Sequence, residues 1–141
     1  VLTSLHLCIV IIDPVVIRPD ARITDLESFR EHAVLHSRCI GDEELWSVRY
    51  DSIALSKCYL SWLHGMSSRD IQARAPYLLT SGDTVYYGNV VRDGLIVGCS
   101  GVNPYWDEVI SEWVHAACQG LSINHREQGG LILTHDKGFV A

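Results

Sequence analysis

Residues 98–118 (GCSGVNPYWDEVISEWVHAAC) contain a glycine-rich turn that could hold a nucleophile, cradle a ligand or only join a strand to a helix. Ser100 stands between Gly98 and Gly101, much as the nucleophile does in the Gly-x-Ser-x-Gly elbow of hydrolases. The second glycine of that elbow, however, would fall at Val102. The residue order therefore argues against a hydrolase nucleophile and leaves the other two interpretations.

The same turn could bind an anionic group. Pro104 holds residue 103 extended, so a helix can begin directly after it with free N–H groups at its positive end. A carboxylate or a haem propionate could bind there, and the indole of Trp106 would suit a flat apolar ligand. Asp107 and Glu108 can satisfy the helix terminus without a ligand, so a plain joint stays the competing interpretation. The predicted ligand contacts are Gly98, Ser100, Gly101, Asn103 and Trp106.

His32 and His36 are four residues apart in EHAVLH, which is about one turn of a helix. Two imidazoles at this spacing can hold a metal ion or act as an acid–base pair. A third metal ligand is not evident, and His36 could equally be a hydrogen-bonded core residue. Tyr86 and Tyr87 would alternate on a strand, so one of the two would point inward. We therefore predict His32, His36 and Tyr86 as catalytic candidates, and the two histidines as metal ligands.

Length and charge restrict the classes of protein to which the chain can belong. Its 141 residues, 48% of them hydrophobic, predict a single domain, residues 1–141, with one substantial core. The formal net charge of −6 argues against sequence-independent nucleic-acid binding and against binding to an anionic membrane surface. No stretch approaches a membrane span, and the apolar start lacks the basic flank of a secretion signal. A small-molecule ligand or substrate is the expected partner.

The five cysteines predict free thiols. Their spacing is irregular, and no pair forms the C-x-x-C motif of zinc or redox sites. Cys8, Cys58, Cys99 and Cys118 all lie in apolar stretches. We therefore expect small, reduced core residues in a cytoplasmic protein.

The first half of the chain mixes strand and helix signals. Residues 5–12 form a continuous apolar run that predicts a buried strand, and residues 15–17 could form a second one. Thr24 and Glu27 have the spacing of a capping box, which predicts a helix to about Arg38. Further predicted elements are a strand over residues 46–50, a helix over 51–63 and a short helix after Ser67.

The second half predicts a hairpin followed by a helix. Strands over residues 84–91 and 95–99 flank an Asp-Gly pair, which is a strong hairpin signal. Residues 106–119 predict an amphipathic helix with Glu112 and His115 on its solvated face. These elements predict an α+β fold with helices on an antiparallel sheet. The inward residues of the helix would be Val109, Ile110, Trp113, Val114 and Ala117, and a last apolar run follows at residues 131–133.

Three stretches resemble the GlcG/HbpS-like family, the small domains often described as haem-degrading or haem-binding. LHLCIVIIDP is similar to the family's first strand, and SIALSKCYLSW to its helix, with Ser52, Ala54 and Lys57 at the matching positions. GNVVRDGLIVGCSGVNPYWDEVI is similar to its hairpin, its Gly-x-Ser-Gly turn and the Asp-Glu pair that opens its last helix. The likeness extends over residues 5–120, with breaks.

This resemblance implies a profilin-like fold, in which a curved antiparallel sheet is flanked by helices, and it implies homo-oligomers. It also implies haem or iron as candidate cofactors, because some members bind them. Relative to the family pattern, residues 18–45 would be an insertion and residues 121–141 an additional tail.

Two classes of function follow from these patterns. The first is a binding module for haem or another flat, carboxylate-bearing molecule. The alternative is an enzyme without a cofactor, a lyase, isomerase or cyclase that acts on a small organic metabolite by acid–base chemistry. A purely structural or partner-binding domain is the third possibility.

Overall fold

The computed structural model describes residues 6–129, which form an antiparallel sheet flanked by helices. The strands are β1 (Leu7–Ile12), β2 (Val34–Ile40), β3 (Asn89–Arg92) and β4 (Leu95–Ser100), and the α-helices are α1 (Leu26–Ala33), α2 (Tyr50–His64), α3 (Ser68–Arg74) and α4 (Pro104–Glu127). The strand order β2-β1-β4-β3 confirms the α+β fold. No helix within these residues is long and apolar enough to cross a membrane. The run predicted at 131–133 lies outside the described residues, as do residues 1–5 and 130–141.

The hydrophobic core lies between the sheet and α2. Side chains alternate across a strand, so Val10 and Ile12 of β1 point to the same side and are buried there. Helix α2 comes close to β4 because Gly98 has no side chain. A Cβ at this position would overlap the Cys58 sulfur and lie 3.0 Å from the Ala54 carbonyl oxygen. Gly98 is therefore a packing residue between helix and sheet, not a ligand contact as predicted.

Strands β3 and β4 form the predicted hairpin. Asp93 and Gly94 connect them with φ angles of 53° and 78°, and this left-handed conformation is the one a two-residue type I′ turn requires. The prediction for the first strand, residues 84–91, is wrong over its first half, because β3 begins at Asn89. Tyr86 consequently lies outside a strand and has no alternation with its neighbour.

The helix predicted from Thr24 to Arg38 is wrong in its second half. Helix α1 ends at Ala33, and the chain continues directly as β2, which pairs with β1. Without β2, the buried strand β1 would have an unpaired edge, so sheet pairing outweighs the helical pattern. The cap is also displaced: the Asp25 carboxylate accepts from the Ser28 N–H at 2.8 Å, and Ser28 Oγ accepts from the Asp25 N–H at 3.0 Å.

The region before α2 differs from the prediction as well. Residues 15–17 are not a strand: Pro14 and Val15 form a turn, and residues 16–17 have no regular secondary structure. Residues 46–50 lead into α2, which begins at Tyr50 and confirms the helix predicted over residues 51–63. Helix α3 confirms the short helix predicted after Ser67, whose hydroxyl accepts from the backbone N–H of the third helical residue.

Cys8 and Cys39 form a disulfide between β1 and β2. The two residues are direct partners across the strands, with Cα atoms 4.1 Å apart. The prediction that all cysteines are reduced is therefore wrong for this pair, whereas Cys58, Cys99 and Cys118 are free. Burial raises the pKa of the Cys58 thiol to about 12, so this thiol stays protonated and unreactive.

Helix α4 turns a polar face toward the sheet, contrary to the prediction. Asp107, Ser111 and His115 repeat every four residues and are buried. His115 was expected in solvent, but its Nε2 lies 3.0 Å from the Arg92 carbonyl oxygen. Trp113 was expected in the core and is 62% exposed. The other predicted inward residues, Val109, Ile110, Val114 and Ala117, are half-buried or exposed.

We predict that Gly98→Ala lowers the free energy of unfolding by about 1–3 kcal/mol, because the new methyl group overpacks the contact between α2 and β4. Chemical denaturation followed by circular dichroism measures this change. Gly82→Ala is the matched control, since a Cβ at Gly82 meets no atom within 4 Å. Equal stabilities of the two variants would contradict this account of the core.

Candidate functional site

A cavity of about 330 Å³ lies between the first half of α2 and the turn that joins β4 to α4. Three of the predicted ligand contacts, Ser100, Gly101 and Asn103, line it, and so does the predicted catalytic residue Tyr86. The polar residues around it are Ser47, Tyr50, Lys57, Tyr86, Ser100, Asn103 and Asp107. This cavity is the candidate functional site.

A buried ion pair forms part of the cavity wall. Lys57 Nζ donates to Asp107 Oδ2 at 2.9 Å and to the Cys99 carbonyl oxygen at 2.7 Å. Lys57 is 0% exposed and Asp107 is 3% exposed. Burial lowers the pKa of the Lys57 ammonium below its usual value, and the Asp107 carboxylate opposes this effect only in part. The pair is therefore a costly, water-excluded charge arrangement beside an open cavity.

Asp107 also ties the turn to the helix. Its second oxygen, Oδ1, accepts from the Val102 backbone N–H at 3.1 Å. Gly88 leaves the space for this arrangement, because a Cβ there would lie 3.0 Å from Lys57 Nζ and closer still to the Asp107 side chain. The carboxylate thus faces inward to the lysine and the turn.

A hydrogen-bonded asparagine fixes the helix that carries Lys57. Asn89 Nδ2 donates to the Lys57 carbonyl oxygen at 3.1 Å and to Ser61 Oγ at 2.6 Å. Asn89 Oδ1 accepts from both the N–H and the hydroxyl of Ser68, at 2.8 and 2.7 Å. The four residues of this network, Asn89, Lys57, Ser61 and Ser68, are all buried. The network therefore joins α2, α3 and β3 next to Lys57.

Ser100 brings an uncommitted hydroxyl to the cavity. The residue is 4% exposed, and its hydroxyl makes no hydrogen bond to any atom of residues 6–129. The hydroxyl is open to the cavity and is not one of the buried polar atoms that lack a partner, so water or a ligand there can bond to it. Asn103 is different, because its amide oxygen caps α4 by accepting from the Trp106 N–H at 3.0 Å. Only the amide N–H groups of Asn103 are left for a ligand.

Gly101 lines the cavity, and its lack of a side chain also serves the chain's own packing. Its φ is 142°, in the region that favours glycine, and a Cβ would overlap the His6 carbonyl group. The close approach is therefore to the chain's own backbone before β1, although the residue still borders the cavity. Trp106, the fifth predicted contact, lies outside the cavity lining, is 45% exposed and packs against Tyr105 and Trp113.

The two histidines predicted as a pair are on different elements. Helix α1 ends at Ala33, so His32 lies on the helix and His36 on the edge strand β2, both exposed and both outside the cavity lining. The helical spacing that suggested a metal or acid–base pair does not exist. In the described part of the chain, no group of three or more His, Cys, Asp or Glu side chains could hold a metal ion.

Sequence reasoning missed Lys57 and Gly88 and misplaced the role of Asp107. Lys57 is four residues after Ile53 and three before Leu60, so it lies within the apolar stripe of α2. A lysine on a buried helix face needs a partner, and this was the available signal. The sequence does not show which of its acidic residues provides that partner.

Comparison of the chain with family models, with curated proteins and with solved structures gives no match. The GlcG/HbpS-like resemblance therefore stays a prediction from the sequence motifs, and the site has to be interpreted from its own geometry.

We predict that removing one member of the ion pair costs more than removing both. Lys57→Met and Asp107→Asn should each lower the free energy of unfolding by about 3–5 kcal/mol, because the first leaves an unpaired carboxylate and the second an unpaired ammonium. The double variant Lys57→Met/Asp107→Asn should lose much less than the sum. Denaturant titrations of the four proteins measure the coupling. Additive losses would contradict a paired, buried charge.

The pH dependence of Asp107→Asn gives a second check. Without the carboxylate, burial should lower the pKa of Lys57 further below its unfolded-state value. The unfolded chain then binds more protons than the native one, so the stability of this variant should rise with pH in the alkaline range, more steeply than in the wild type. Lys57→Met, which lacks the titrating amine, should not show this rise.

Proposed function

We propose that the cavity binds a small organic molecule that bears a carboxylate or carbonyl oxygen. The observation that carries this proposal is the Ser100 hydroxyl, which is open to the cavity and makes no hydrogen bond within the described residues. The amide N–H groups of Asn103 make no hydrogen bond within residues 6–129, and the Lys57 ammonium, 0% exposed, contributes positive charge behind the cavity wall. Hydrogen-bond donors thus predominate, which favours an oxygen acceptor on the ligand.

The size of the cavity favours a metabolite. Ligand pockets generally measure about 300–1,000 Å³, and this cavity, at about 330 Å³, is close to the lower limit. Apolar side chains such as Val48 and Ile53 contribute the remaining wall, so part of the ligand should be hydrocarbon. The resemblance to a family of ligand-binding domains supports the same class of function.

The cavity does not fit haem. Haem iron is held by a His, Cys, Met or Tyr side chain, and the described lining offers only tyrosines. The hydroxyl of Tyr50 lies 3.2 Å from Ser47 Oγ, within a hydrogen bond, and Tyr86 is half exposed at the rim. A cavity this small also leaves little room for a macrocycle, so haem is retained only as an outcome of the binding test.

A cofactor-independent enzyme is the second candidate, and the buried Lys57–Asp107 pair is the observation that favours it. An ammonium group held in a water-poor site can stabilise an oxyanion that develops on a bound carbonyl compound. Burial lowers the pKa of this ammonium, which makes its proton easier to donate. Lyase, isomerase or cyclase chemistry on a keto or hydroxy acid would use these properties.

The disulfide bears on where the protein works. Disulfides persist in oxidising compartments and are rare in the cytosol. The Cys8–Cys39 pair therefore favours an oxidising compartment over the cytoplasm that the cysteine pattern suggested. Thiol counting on protein taken from its source cells decides between the two: three free thiols support the disulfide, and five support the cytoplasm.

We predict that small keto and hydroxy acids bind saturably and that Ser100→Ala weakens them by about 3- to 10-fold, the effect of one lost hydrogen bond. Ligand-observed NMR on a panel of such acids, followed by calorimetry of the hits, measures the affinities. Ser37→Ala, on the exposed strand β2, is the control and should bind as the wild type does.

Two further outcomes of the same screen are informative. New resonances that grow with time, and that Asp107→Asn abolishes, would support the enzymatic candidate. A saturable Soret shift with haemin, altered by Tyr86→Phe, would instead support haem. Equal binding by Ser100→Ala and the wild type, or no saturable ligand at all, would contradict the proposal.

A further inference from the structure

The open hydrogen-bonding groups of the cavity and its apolar groups come from different segments of the chain. Ser100 and Asn103 belong to the turn between β4 and α4, and their hydroxyl and amide N–H groups make no hydrogen bond within the described residues. Val48, Tyr50 and Ile53 belong to the segment that leads into α2 and to the first turn of that helix. We call the first two residues the polar side of the cavity and the other three its apolar side.

The one hydroxyl of the apolar side already has a partner within the chain. Tyr50 Oη lies 3.2 Å from Ser47 Oγ, so these two hydroxyls hydrogen-bond to each other. The Tyr50 ring also stacks on the ring of His6, with centroids 6.1 Å apart and the planes 12° from parallel. The apolar side therefore offers a ligand chiefly hydrocarbon and an aromatic ring that is held in place.

The charges of the cavity wall suit one charged end of a ligand and not two. Lys57 is the only cation among the described residues that line the cavity, and Asp107 neutralises it at 2.9 Å. A second carboxylate against Val48 or Ile53 would lose water without gaining a cation, which is costly. The donors of Ser100 and Asn103 can accept one carboxylate at the polar side.

The apolar side continues outward to the protein surface. Ile53 is half-buried, whereas Val48 and Tyr86, which also line the cavity, are 48% and 50% exposed. Apolar side chains at the mouth of a pocket can cover the part of a ligand that extends out of it. A hydrocarbon tail can thus run from the polar side past Ile53 to the rim.

We propose that the ligand is an amphipathic monocarboxylate, with its carboxylate at Ser100 and Asn103 and its hydrocarbon tail along Val48. Val48 is then a specificity-determining residue, because it contacts the tail and not the carboxylate. This inference rests on the proposed function and narrows its ligand class. Monocarboxylates with a longer tail should be preferred both to short acids and to dicarboxylates.

Calorimetric titration with sodium propionate, butanoate, hexanoate and adipate tests the ligand class. The affinity should rise by about 2- to 4-fold for each methylene added between propionate and hexanoate, since each is buried against the apolar side. Hexanoate should bind at least about tenfold more tightly than adipate, which has the same chain length and a carboxylate at both ends. Ser100→Ala should weaken all three monocarboxylates by a similar factor, because they share the head group.

Variants of Val48 test its role in specificity. Val48→Ser should weaken hexanoate by about 3- to 5-fold and change propionate less than about twofold, because only the longer tail reaches this residue. Val48→Lys should reverse the preference and favour adipate, since the new ammonium can pair with the second carboxylate. Val15→Ser is the matched control: Val15 is 82% exposed and lies outside the cavity lining. Circular dichroism verifies that each variant is folded.

The outcomes separate this inference from the proposed function. Equal affinities of hexanoate and adipate, no rise in affinity with chain length, or equal losses of propionate and hexanoate in Val48→Ser would each overturn the inference. If Ser100→Ala still weakens binding in those cases, the proposed function stands. Saturable binding of keto or hydroxy acids without binding of any alkanoate would overturn the inference alone. No saturable binding by either set of acids would overturn both.

Discussion

The Lys57–Asp107 ion pair is the interaction on which the rest of the structure depends. It connects the middle of α2 to the start of α4 across fifty residues of sequence. Lys57 also donates to the carbonyl group of Cys99, near the end of β4. Through the second carboxylate oxygen it also fixes the turn at Val102. The cavity exists because these elements meet around two charges and not around apolar side chains that would fill the space. The same elements cover the two charges and exclude them from water.

The same pair determines which side of α4 faces outward. Asp107 must face Lys57, and the residues one and two turns further on, Ser111 and His115, are then carried to the same side. Ser111 donates to the Gly88 carbonyl oxygen at 3.0 Å, and His115 bonds to the carbonyl group of Arg92, so the polar face finds partners on β3 and just before it. The apolar residues of the helix are left on the surface. Turning Asp107 inward thus leaves Trp106 and Trp113 on the outer face of α4, 45% and 62% exposed.

These relations explain how far the sequence could predict the structure. The hairpin at Asp93-Gly94 and most of α2 were predictable, because their signals are local: a left-handed turn in one case and a helical apolar period in the other. The end of α1 was not predictable, because the helical pattern of apolar residues continues past Ala33. Only pairing with β1 makes a strand more stable than a helix there. The predicted orientation of α4 was wrong for a related reason. The apolar residues of α4 have the spacing of a face that packs on a core. They face outward only because Asp107 must face Lys57, which is distant in sequence. Ser100 and Asn103 were found from the turn chemistry, whereas Lys57 was a lysine on an apolar stripe with no visible partner.

The buried pair alone does not require a ligand. An ion pair can serve to fix one arrangement of helices, and replacing it with apolar residues of similar volume is often neutral for stability. The Asn89 network and the Val102 contact both fit that structural role. Ser100 belongs to neither network, because its hydroxyl makes no hydrogen bond within residues 6–129 and is open to the cavity. The open hydroxyl beside the Lys57–Asp107 pair is therefore the part of the site that neither network uses, and water or a ligand oxygen in the cavity can bond to it.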